Sequence, residues 1–266
     1  MYKFGFIGTG NMGGAIADAV SKAENPEKII VSNRTKEKAE ALAKKIGCVV
    51  GDNFDVAEKA QYIFIGVKPQ TIGQLFETIK DTLKNRKERF VIVTMAAAVT
   101  TEKICDILGE KYPVIRIMPN TPVSIGMGTT VYCANEAVTK DEKEEFVSAM
   151  EKSGVLMEIE ERLIDAASAV SGCGPAFVYM FAQSMADGAV KCGLPRALAA
   201  RLAAQTITGA GAMIIETGRH PESLKDDVCS PGGTTIEGVH ALEKGGMRAA
   251  VIDAVCSAYM KNKNIK

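Results

Sequence analysis

Short apolar runs alternate with amphipathic stretches through the first half of the chain. The apolar runs predict eight strands, at residues 2–7, 28–32, 48–50, 62–67, 90–94, 113–118, 129–133 and 154–158. Stretches with helical spacing lie between several of these runs, at residues 36–46, 55–60 and 140–152 among others. Because strands that alternate with helices favour a parallel sheet covered on both faces, we predict an α/β domain with a doubly wound sheet.

The pattern changes after about residue 160, where alanine becomes frequent and helical periodicity continues nearly to the end of the chain. It predicts helices at 163–170, from Pro175 to Cys192, from Pro195 to about Gly218, from Thr235 to Gly245, and at 247–261. We therefore predict two domains, an α/β domain over residues 1–160 and an all-α domain over residues 161–266.

The long helix that begins at Pro195 has an apolar face too large for its own domain to cover. That face consists of Leu198, Leu202, Ile207, Met213 and Ile214. Burial against a second copy of the chain is the economical way to remove it from water, so we predict dimerisation through the helical domain.

A glycine-rich turn follows the first predicted strand and leads into a helix. Its residues are Gly8, Thr9, Gly10, Asn11, Met12 and Gly13. A strand, this glycine spacing and a helix are the context of the dinucleotide-binding motif. There the first glycine permits a tight turn, the second lets a pyrophosphate approach the backbone, and the third lets the helix pack closely on the strand. We therefore predict a dinucleotide-binding domain of the Rossmann type.

The second predicted strand ends in polar residues where such domains recognise the adenosine ribose. They are Ser32, Asn33, Arg34, Thr35 and Lys36. An NAD site places an acid there, and this stretch contains none. Hydrogen-bond donors and positive charge suit a 2′-phosphate, so we predict NADPH as the cofactor, with NADH as a weaker alternative. The alternative interpretation is a solvated loop that opens the next helix.

Further polar and small residues follow later strands, at the edge where open parallel sheets bind ligands. Lys68 lies between Val67 and Pro69, and it either contacts the cofactor or only caps the sheet edge. The small residues at 95–98 would leave room for a nicotinamide ring. Between two prolines, Asn120 and Thr121 are predicted to line the site with polar groups.

A candidate anion site lies in the second half of the chain, in the sequence Ser230-Pro231-Gly232-Gly233-Thr234-Thr235. Thr234 and Glu237 have the spacing of a capping box, which predicts a helix that begins at Thr235. The first N–H groups of a helix have no intrahelical partner and lie at the positive end of its dipole, so they could bind a small carboxylate. The Thr235 hydroxyl would then be free to contact the ligand. The alternative is an ordinary loop before a capped helix.

Composition excludes several other functions. The 266 residues contain 32 basic and 32 acidic side chains, so bulk charge attracts neither nucleic acid nor an anionic membrane. Seven cysteines without a CxxC pair predict free thiols in a reducing compartment, with no disulfide framework and no metal site. With no signal-peptide pattern at the start, we expect a soluble cytoplasmic protein. Because the chain has only two histidines, mechanisms that need a pair of histidines are largely excluded. His220 is interpreted as a loop residue before Pro221.

Taken together, the motifs resemble those of pyrroline-5-carboxylate reductases over essentially the whole chain. The matching segments are 8–13, Val67-Lys68-Pro69, Arg116 to Pro122, Ser171 to Ala176 and Leu224 to Thr235. The resemblance implies NAD(P)H-dependent reduction of 1-pyrroline-5-carboxylate to L-proline, the final step of proline biosynthesis. It also implies a homodimer through the helical domain, often assembled into a decamer of five dimers, with the partner subunit completing each substrate site.

The resemblance also implies roles for individual residues. The backbone at Ser230, Gly233 and Thr234, with Gly232 in the same turn, would bind the substrate carboxylate, and the Thr235 hydroxyl would bind the ring nitrogen and serve as the catalytic group. Besides residues 32–35, the cofactor-binding residues would be Ile7, Gly8, Thr9, Gly10, Asn11, Met12, Asn53, Gly66, Val67, Lys68, Pro69, Met95, Ala96 and Ala97. The chain departs from the usual family pattern at Met95, Ala98 and Cys173.

Two alternative functions remain open at this stage. A β-hydroxyacid dehydrogenase or imine reductase joins similar domains but generally needs a lysine or aspartate in the first interdomain helix. Residues 163–189 contain only Asp165 and Asp187 as charged residues. The second alternative is a redox sensor that binds NADP without chemistry, although a sensor needs no carboxylate site. A chain with few histidines fits imine reduction, because a protonated C=N group can take its proton from solvent.

Overall fold

The computed structural model describes residues 1–264 and divides into two compact units. The first contains Met1–Gly172 together with residues 259–264, and the second is Cys173–Ala258. The first unit thus continues one helix beyond residue 160. The division of the chain at 160/161 stays a prediction, since compact units and functional domains need not share a boundary.

One sheet of eight strands forms the centre of the first unit. Its strands are β1 (Tyr2–Ile7), β2 (Ile29–Ser32), β3 (Val49–Val50), β4 (Ala60–Ile65), β5 (Val91–Thr94), β6 (Val114–Met118), β7 (Gly128–Ala134) and β8 (Gly154–Glu158). They are ordered β3-β2-β1-β4-β5-β6-β7-β8, and every neighbouring pair is parallel except β6 and β7. The chain builds outward to β3 and then returns to β4, so the order reverses beside β1. The predicted α/β fold with a doubly wound sheet is confirmed.

Helices cover both faces of this sheet. They are α1 (Asn11–Ala23), α2 (Lys36–Ile46), α3 (Asn53–Lys59), α4 (Pro69–Lys84), α5 (Thr101–Leu108), α6 (Lys140–Ala149) and α7 (Ile164–Ser171). Alternate residues of the central strands enter separate cores, so Phe64 joins a cluster with Phe6 and Phe146, whereas Ile65 joins a cluster with Phe76. Burial on both faces explains why the strands are continuous apolar runs without polar alternation.

Some predicted boundaries were wrong by a few residues. The helix predicted at 55–60 begins at Asn53, because Asp52 and Asp55 form a capping box that fixes its first turn. The strand predicted at 62–67 spans Ala60–Ile65. The helix predicted to reach residue 152 ends at Ala149, and a short 3₁₀ turn, Glu151–Ser153, follows it.

The second unit consists of helices with a very small core. They are α8 (Gly174–Lys191), α9 (Arg196–Thr217), α10 (Pro221–Val228), α11 (Thr234–Lys244) and α12 (Met247–Lys263), the last of which ends in the first unit. Its buried hydrophobic cluster contains only Ala186, Ala199 and Ala203, where α8 and α9 pack together. Leu202 on the predicted apolar face of α9 is 49% exposed. Two stretches, Glu161–Lys191 and Arg196–Thr217, are long and apolar enough to cross a membrane by length and composition alone.

Candidate functional site

Three glycines bring the end of β1, the start of α1 and the end of β4 into backbone contact. Gly8 has a positive φ of 92° and donates its N–H to the Ser32 carbonyl at 2.9 Å. A Cβ atom on Gly13 would lie 2.3 Å from the Gly8 carbonyl oxygen, and one on Gly66 would lie 2.4 Å from the same atom. Any side chain would force these segments apart, so glycine is required at all three positions.

The first turn of α1 has no capping side chain, and the space next to its N-cap residue is free. Gly10 is the N-cap residue, so no side chain satisfies the first N–H groups of the helix. A Cβ atom on Gly10 would have no atom within 4 Å. Beside it, Thr9 is 5% exposed, and its Oγ1 has no hydrogen-bond partner among residues 1–264. Free donors, an unpartnered hydroxyl and open space at a helix N-terminus fit the pyrophosphate of a dinucleotide.

Polar groups that fit an adenosine ribose meet at the ends of β2 and β3. The buried Ser32 hydroxyl donates to Asn53 Oδ1 at 2.6 Å, which fixes Asn53 beside the end of β2. Asn33 Nδ2 donates to the Thr35 carbonyl at 3.0 Å. Arg34 and Thr35 are exposed. Both nearby acids are engaged in the capping box of α3, and the ion pair with Lys59 lowers the pKa of Asp55. In the segment after β2, the exposed groups at Arg34 and Thr35 are a positive charge and a hydroxyl.

The remaining predicted cofactor residues follow β4 and β5. The Gly66 N–H donates to the Ile7 carbonyl at 2.8 Å, Lys68 is exposed before the first residue of α4, and the Met95 N–H donates to the Ile65 carbonyl. The predicted set therefore lies at the carboxyl ends of five adjacent strands, β3, β2, β1, β4 and β5, and in the segments that follow them. In the loop after β5, Ala98 has a φ of 60° and is the only non-glycine residue with a positive φ among residues 1–264.

The prediction that Asn120 lines the site was wrong, because its side chain is buried and both of its polar atoms are bonded within the fold. Its Nδ2 donates to the Ser171 carbonyl and its Oδ1 accepts the Thr129 N–H, both at 2.9 Å. Sequence reasoning also gave no role to Arg116, whose side chain is 2% exposed and contacts Glu161 at 3.5 Å and Asp165 at 3.0 Å. An arginine inside an apolar strand is the signal that would have identified this ion-pair cluster.

In the second unit, a glycine turn leads directly into α11. The Gly233 N–H donates to the Ser230 carbonyl at 3.0 Å, and Gly232 has a φ of 65°. With Pro231 second and a positive-φ glycine third, the turn has the type II pattern. A Cβ atom on Gly233 would lie 2.5 Å from Ser230 Oγ, so a side chain there would collide with the serine.

The predicted capping box at the start of α11 was wrong. The helix begins at Thr234, and its N-cap is Gly233, which makes no side-chain capping bond. The turn already places Gly233 in the extended conformation of an N-cap, so Thr234 becomes the first helical residue and Glu237 lies too far along to complete the box. The first N–H groups of α11 therefore lack a capping side chain. Both threonines are exposed, so their exposure does not favour Thr235 over Thr234.

Ion pairs hold α10, the helix before this turn. Arg219 contacts Asp227 at 2.7 Å, and the hydrogen bond from Arg219 lowers the pKa of the Asp227 carboxyl. Asp227 is therefore an ionised partner and a poor proton donor at neutral pH. His220 is the N-cap of α10, and its Nδ1 accepts the Glu222 N–H at 3.2 Å. Within residues 1–264, no group of His, Cys, Asp and Glu side chains could hold a metal ion.

Two family models match the chain. Residues 161–265 match the model described as pyrroline-5-carboxylate reductase dimerisation, and residues 3–97 match NADP oxidoreductase coenzyme F420-dependent. The first range covers the helices that carry the exposed apolar faces and the turn before α11. The second covers the glycine turn and the strand ends through β5.

Individual relatives match along nearly the full length. Pyrroline-5-carboxylate reductase of Escherichia coli is 38% identical over 266 residues, which cover 99% of this chain and 98% of the relative. A solved structure of a pyrroline-5-carboxylate reductase from Coxiella burnetii has a TM-score of 0.89 at 34% identity, covering 98% of this chain and 97% of that one. A Plasmodium falciparum pyrroline carboxylate reductase with NADP bound has a TM-score of 0.87 at 32% identity, with the same coverage. The chain therefore belongs to the pyrroline-5-carboxylate reductase family.

Proposed function

We propose that this protein reduces 1-pyrroline-5-carboxylate to L-proline with NADPH, the final step of proline biosynthesis. The observation that carries the proposal is the glycine turn that opens directly into the uncapped start of α11, since it offers an anion site with two hydroxyls beside it. The family of the chain and the NADP bound to the related Plasmodium falciparum structure support the same reaction.

The first unit would hold NADPH along the carboxyl edge of its sheet. The N–H groups at the start of α1 would bind the pyrophosphate, and Gly10 would leave room for it. Arg34, with the Thr35 hydroxyl, would bind the 2′-phosphate, whereas the Ser32 hydroxyl is used to hold Asn53. Asn53 would be oriented for the ribose by its hydrogen bond with Ser32. Bound in this way, NADPH would supply the hydride. The side chains and backbone of the protein would bind and orient the cofactor and the substrate.

The start of α11 would hold the substrate by its carboxylate. The Gly233 N–H is already used within the turn, so the N–H groups of Thr234 and Thr235 remain for the carboxylate, while Ser230, Gly232 and Gly233 shape the turn. The Thr235 hydroxyl would hold the ring nitrogen as the catalytic group. A protonated C=N group accepts hydride most readily, and its proton can come from water. Because water can supply this proton, the ionised Asp227 beside Arg219 need not act as the donor.

The chain forms a homo-oligomer through its helical half, which matches the family's dimerisation model. Leu198, Leu202, Met213 and Ile214 are each at least 41% exposed in the single chain, and a second copy would cover them. This explains the membrane-like composition of these helices without a membrane. We extend the proposal to a decamer of five dimers, as the family resemblance implies. We also propose a cytoplasmic location, because all seven cysteines are free.

The test is to incubate the purified protein with NADPH and 1-pyrroline-5-carboxylate while following nicotinamide absorbance and L-proline by mass spectrometry. We expect both NADPH consumption and L-proline, with a lower KM for NADPH than for NADH. Tight NADPH binding without turnover would favour a sensor. Turnover of a β-hydroxyacid with NADP, in place of the cyclic imine, would favour the dehydrogenase alternative.

A further inference from the structure

One aromatic ring on the first unit is left unburied. Phe54 is 52% exposed, and it is the only exposed Phe or Tyr among the described residues of this unit. The other phenylalanines of the unit lie in the sheet cores, as Phe4 and Phe64 do at 0% exposure. A single exposed hydrophobic residue is ordinary on a protein surface, so its position must decide whether it has a role.

Phe54 lies at the ligand-binding edge of the sheet. It is the second residue of α3, which begins just after the carboxyl end of β3. Helical side chains tilt toward the N-terminus of their helix, so a ring in this first turn leans toward that edge. On the opposite side of the helix, Val56 is fully buried and fixes α3 against the sheet.

Phe54 is also next in the chain to a polar group that fits the adenosine ribose. Val31 pairs with Val50, so the segments that follow β2 and β3 leave the sheet side by side. Asn53, the residue before Phe54, is bonded through its side chain to Ser32 at 2.6 Å. The segment after β2 contributes Arg34 and other polar groups but no apolar surface.

We propose that Phe54 is the platform on which the adenine ring of the dinucleotide stacks. The inference rests on the proposed use of NADPH and adds a binding residue for its adenine end. Removing a flat face of adenine from water is favourable, and either face can stack on an aromatic ring. With the 2′-phosphate at Arg34 and the ribose at Asn53, the base has Phe54 as the apolar surface within the same pair of segments.

The proposal separates two contributions to cofactor affinity. Phe54 contacts a group that NADPH and NADH share, so its loss weakens both by the same factor. Arg34 contacts the 2′-phosphate, so its loss weakens NADPH alone. This difference distinguishes an adenine platform from a residue that only shapes the phosphate site.

The experiment measures the affinity of the full-length protein for 2′,5′-ADP, NADP⁺ and NAD⁺ by titration calorimetry. In Phe54→Ala we expect all three affinities to fall by about tenfold, which corresponds to about 1.4 kcal/mol and lies within the range for base–aromatic stacking. Phe54→Tyr should bind like the wild type because it keeps the ring, and Phe54→Leu should lie between. Arg34→Ala should weaken 2′,5′-ADP and NADP⁺ but leave NAD⁺ unchanged.

Val155→Ala is the matched control, because Val155 is 56% exposed on β8, at the opposite edge of the sheet from β3. Val155→Ala should bind all three ligands with the affinities of the wild type. Phe54→Ala should unfold at the same temperature as the wild type, because the ring that it removes is exposed. Unchanged affinities in Phe54→Ala would overturn the platform while leaving the cofactor site intact. A wild type that binds neither 2′,5′-ADP nor NADP⁺ would overturn the cofactor site itself.

Discussion

Replacing Gly10 by alanine should weaken dinucleotide binding while leaving the fold intact. Gly10 has φ −72° and ψ −160°, an extended conformation that alanine adopts without strain, and its added Cβ would meet nothing within 4 Å. The new methyl group would nevertheless occupy the space in front of the first N–H groups of α1. The oxygens of a pyrophosphate could then no longer approach those N–H groups closely enough for a hydrogen bond.

The expected magnitudes follow from these contacts. Alanine is a poorer N-cap than glycine, but it also restricts the unfolded chain, and the two effects oppose each other. We therefore expect the free energy of unfolding to change by no more than about 0.5 kcal/mol, typical of a surface substitution. Losing one hydrogen bond to a charged group costs about 1.5–3 kcal/mol, which is roughly a 10- to 100-fold rise in the Kd for NADP⁺.

Two neighbouring glycines provide controls of opposite kind. A Cβ on Gly13 would lie 2.3 Å from the Gly8 carbonyl oxygen, whereas one on Gly14 would lie 3.7 Å from the Thr9 carbonyl oxygen, an ordinary contact. Gly13→Ala should therefore lose about 1–3 kcal/mol of stability through overpacking. Gly14→Ala should gain about 0.5–1 kcal/mol, because alanine suits a helix better than glycine.

The assay combines thermal unfolding of the three variants with calorimetric titration of NADP⁺. If Gly10→Ala binds NADP⁺ as tightly as Gly14→Ala does, no phosphate lies against the start of α1, and the reasoning is refuted. If Gly10→Ala is destabilised as much as Gly13→Ala, its weaker binding reflects damage to the fold. The prediction that the Gly10 substitution affects binding without affecting stability would then be wrong.

Three further outcomes are expected. Thr235→Ala should lower kcat for pyrroline-5-carboxylate markedly while the Kd for NADPH is kept and Thr235→Ser restores turnover; unchanged kcat in the alanine variant would remove Thr235 from catalysis. Leu202→Arg should shift the protein toward monomer in size-exclusion chromatography, because it places charge on an apolar face, and an unchanged elution volume would mean that this face is not the interface. Burial raises the pKa of Cys133 from its usual 9.0 to about 12, so above pH 9 the folded thiol keeps a proton that the unfolded chain loses, and its contribution to stability should fall as the pH rises above about 9. Mass spectrometry after alkylation at pH 8 should find Cys133 unlabelled, because the thiol is buried and protonated. Rapid labelling of Cys133 in the native protein would contradict this prediction.

The sequence was sufficient for the architecture because both faces of the sheet are buried. That burial makes the strands continuous apolar runs, and the glycine turn after β1 identifies the ligand-binding edge. Helix α4 went unpredicted although Ile72, Leu75, Phe76 and Ile79 form one buried helical face. Its spacing was readable from the sequence, so a complete search for periodicity would have found it.

The details of the site depended on information that local patterns lack. Thr234 and Glu237 have the spacing of a capping box, yet the turn through Gly232 moved the N-cap to Gly233. Asn120 follows a strand like a lining residue, but a tertiary contact with the Ser171 carbonyl uses its side chain. In both cases a backbone turn or a distant partner competes with the local signal, and neither is visible in a window of a few residues.

The small core of the second unit has a consequence for how the protein behaves on dilution. Three alanines are the whole of its buried hydrophobic cluster, so the free energy that keeps its helices folded must come largely from association. Folding is then governed by mass action, and the midpoint of thermal denaturation should rise with protein concentration. At the lowest concentrations, assembly and folding become the same event.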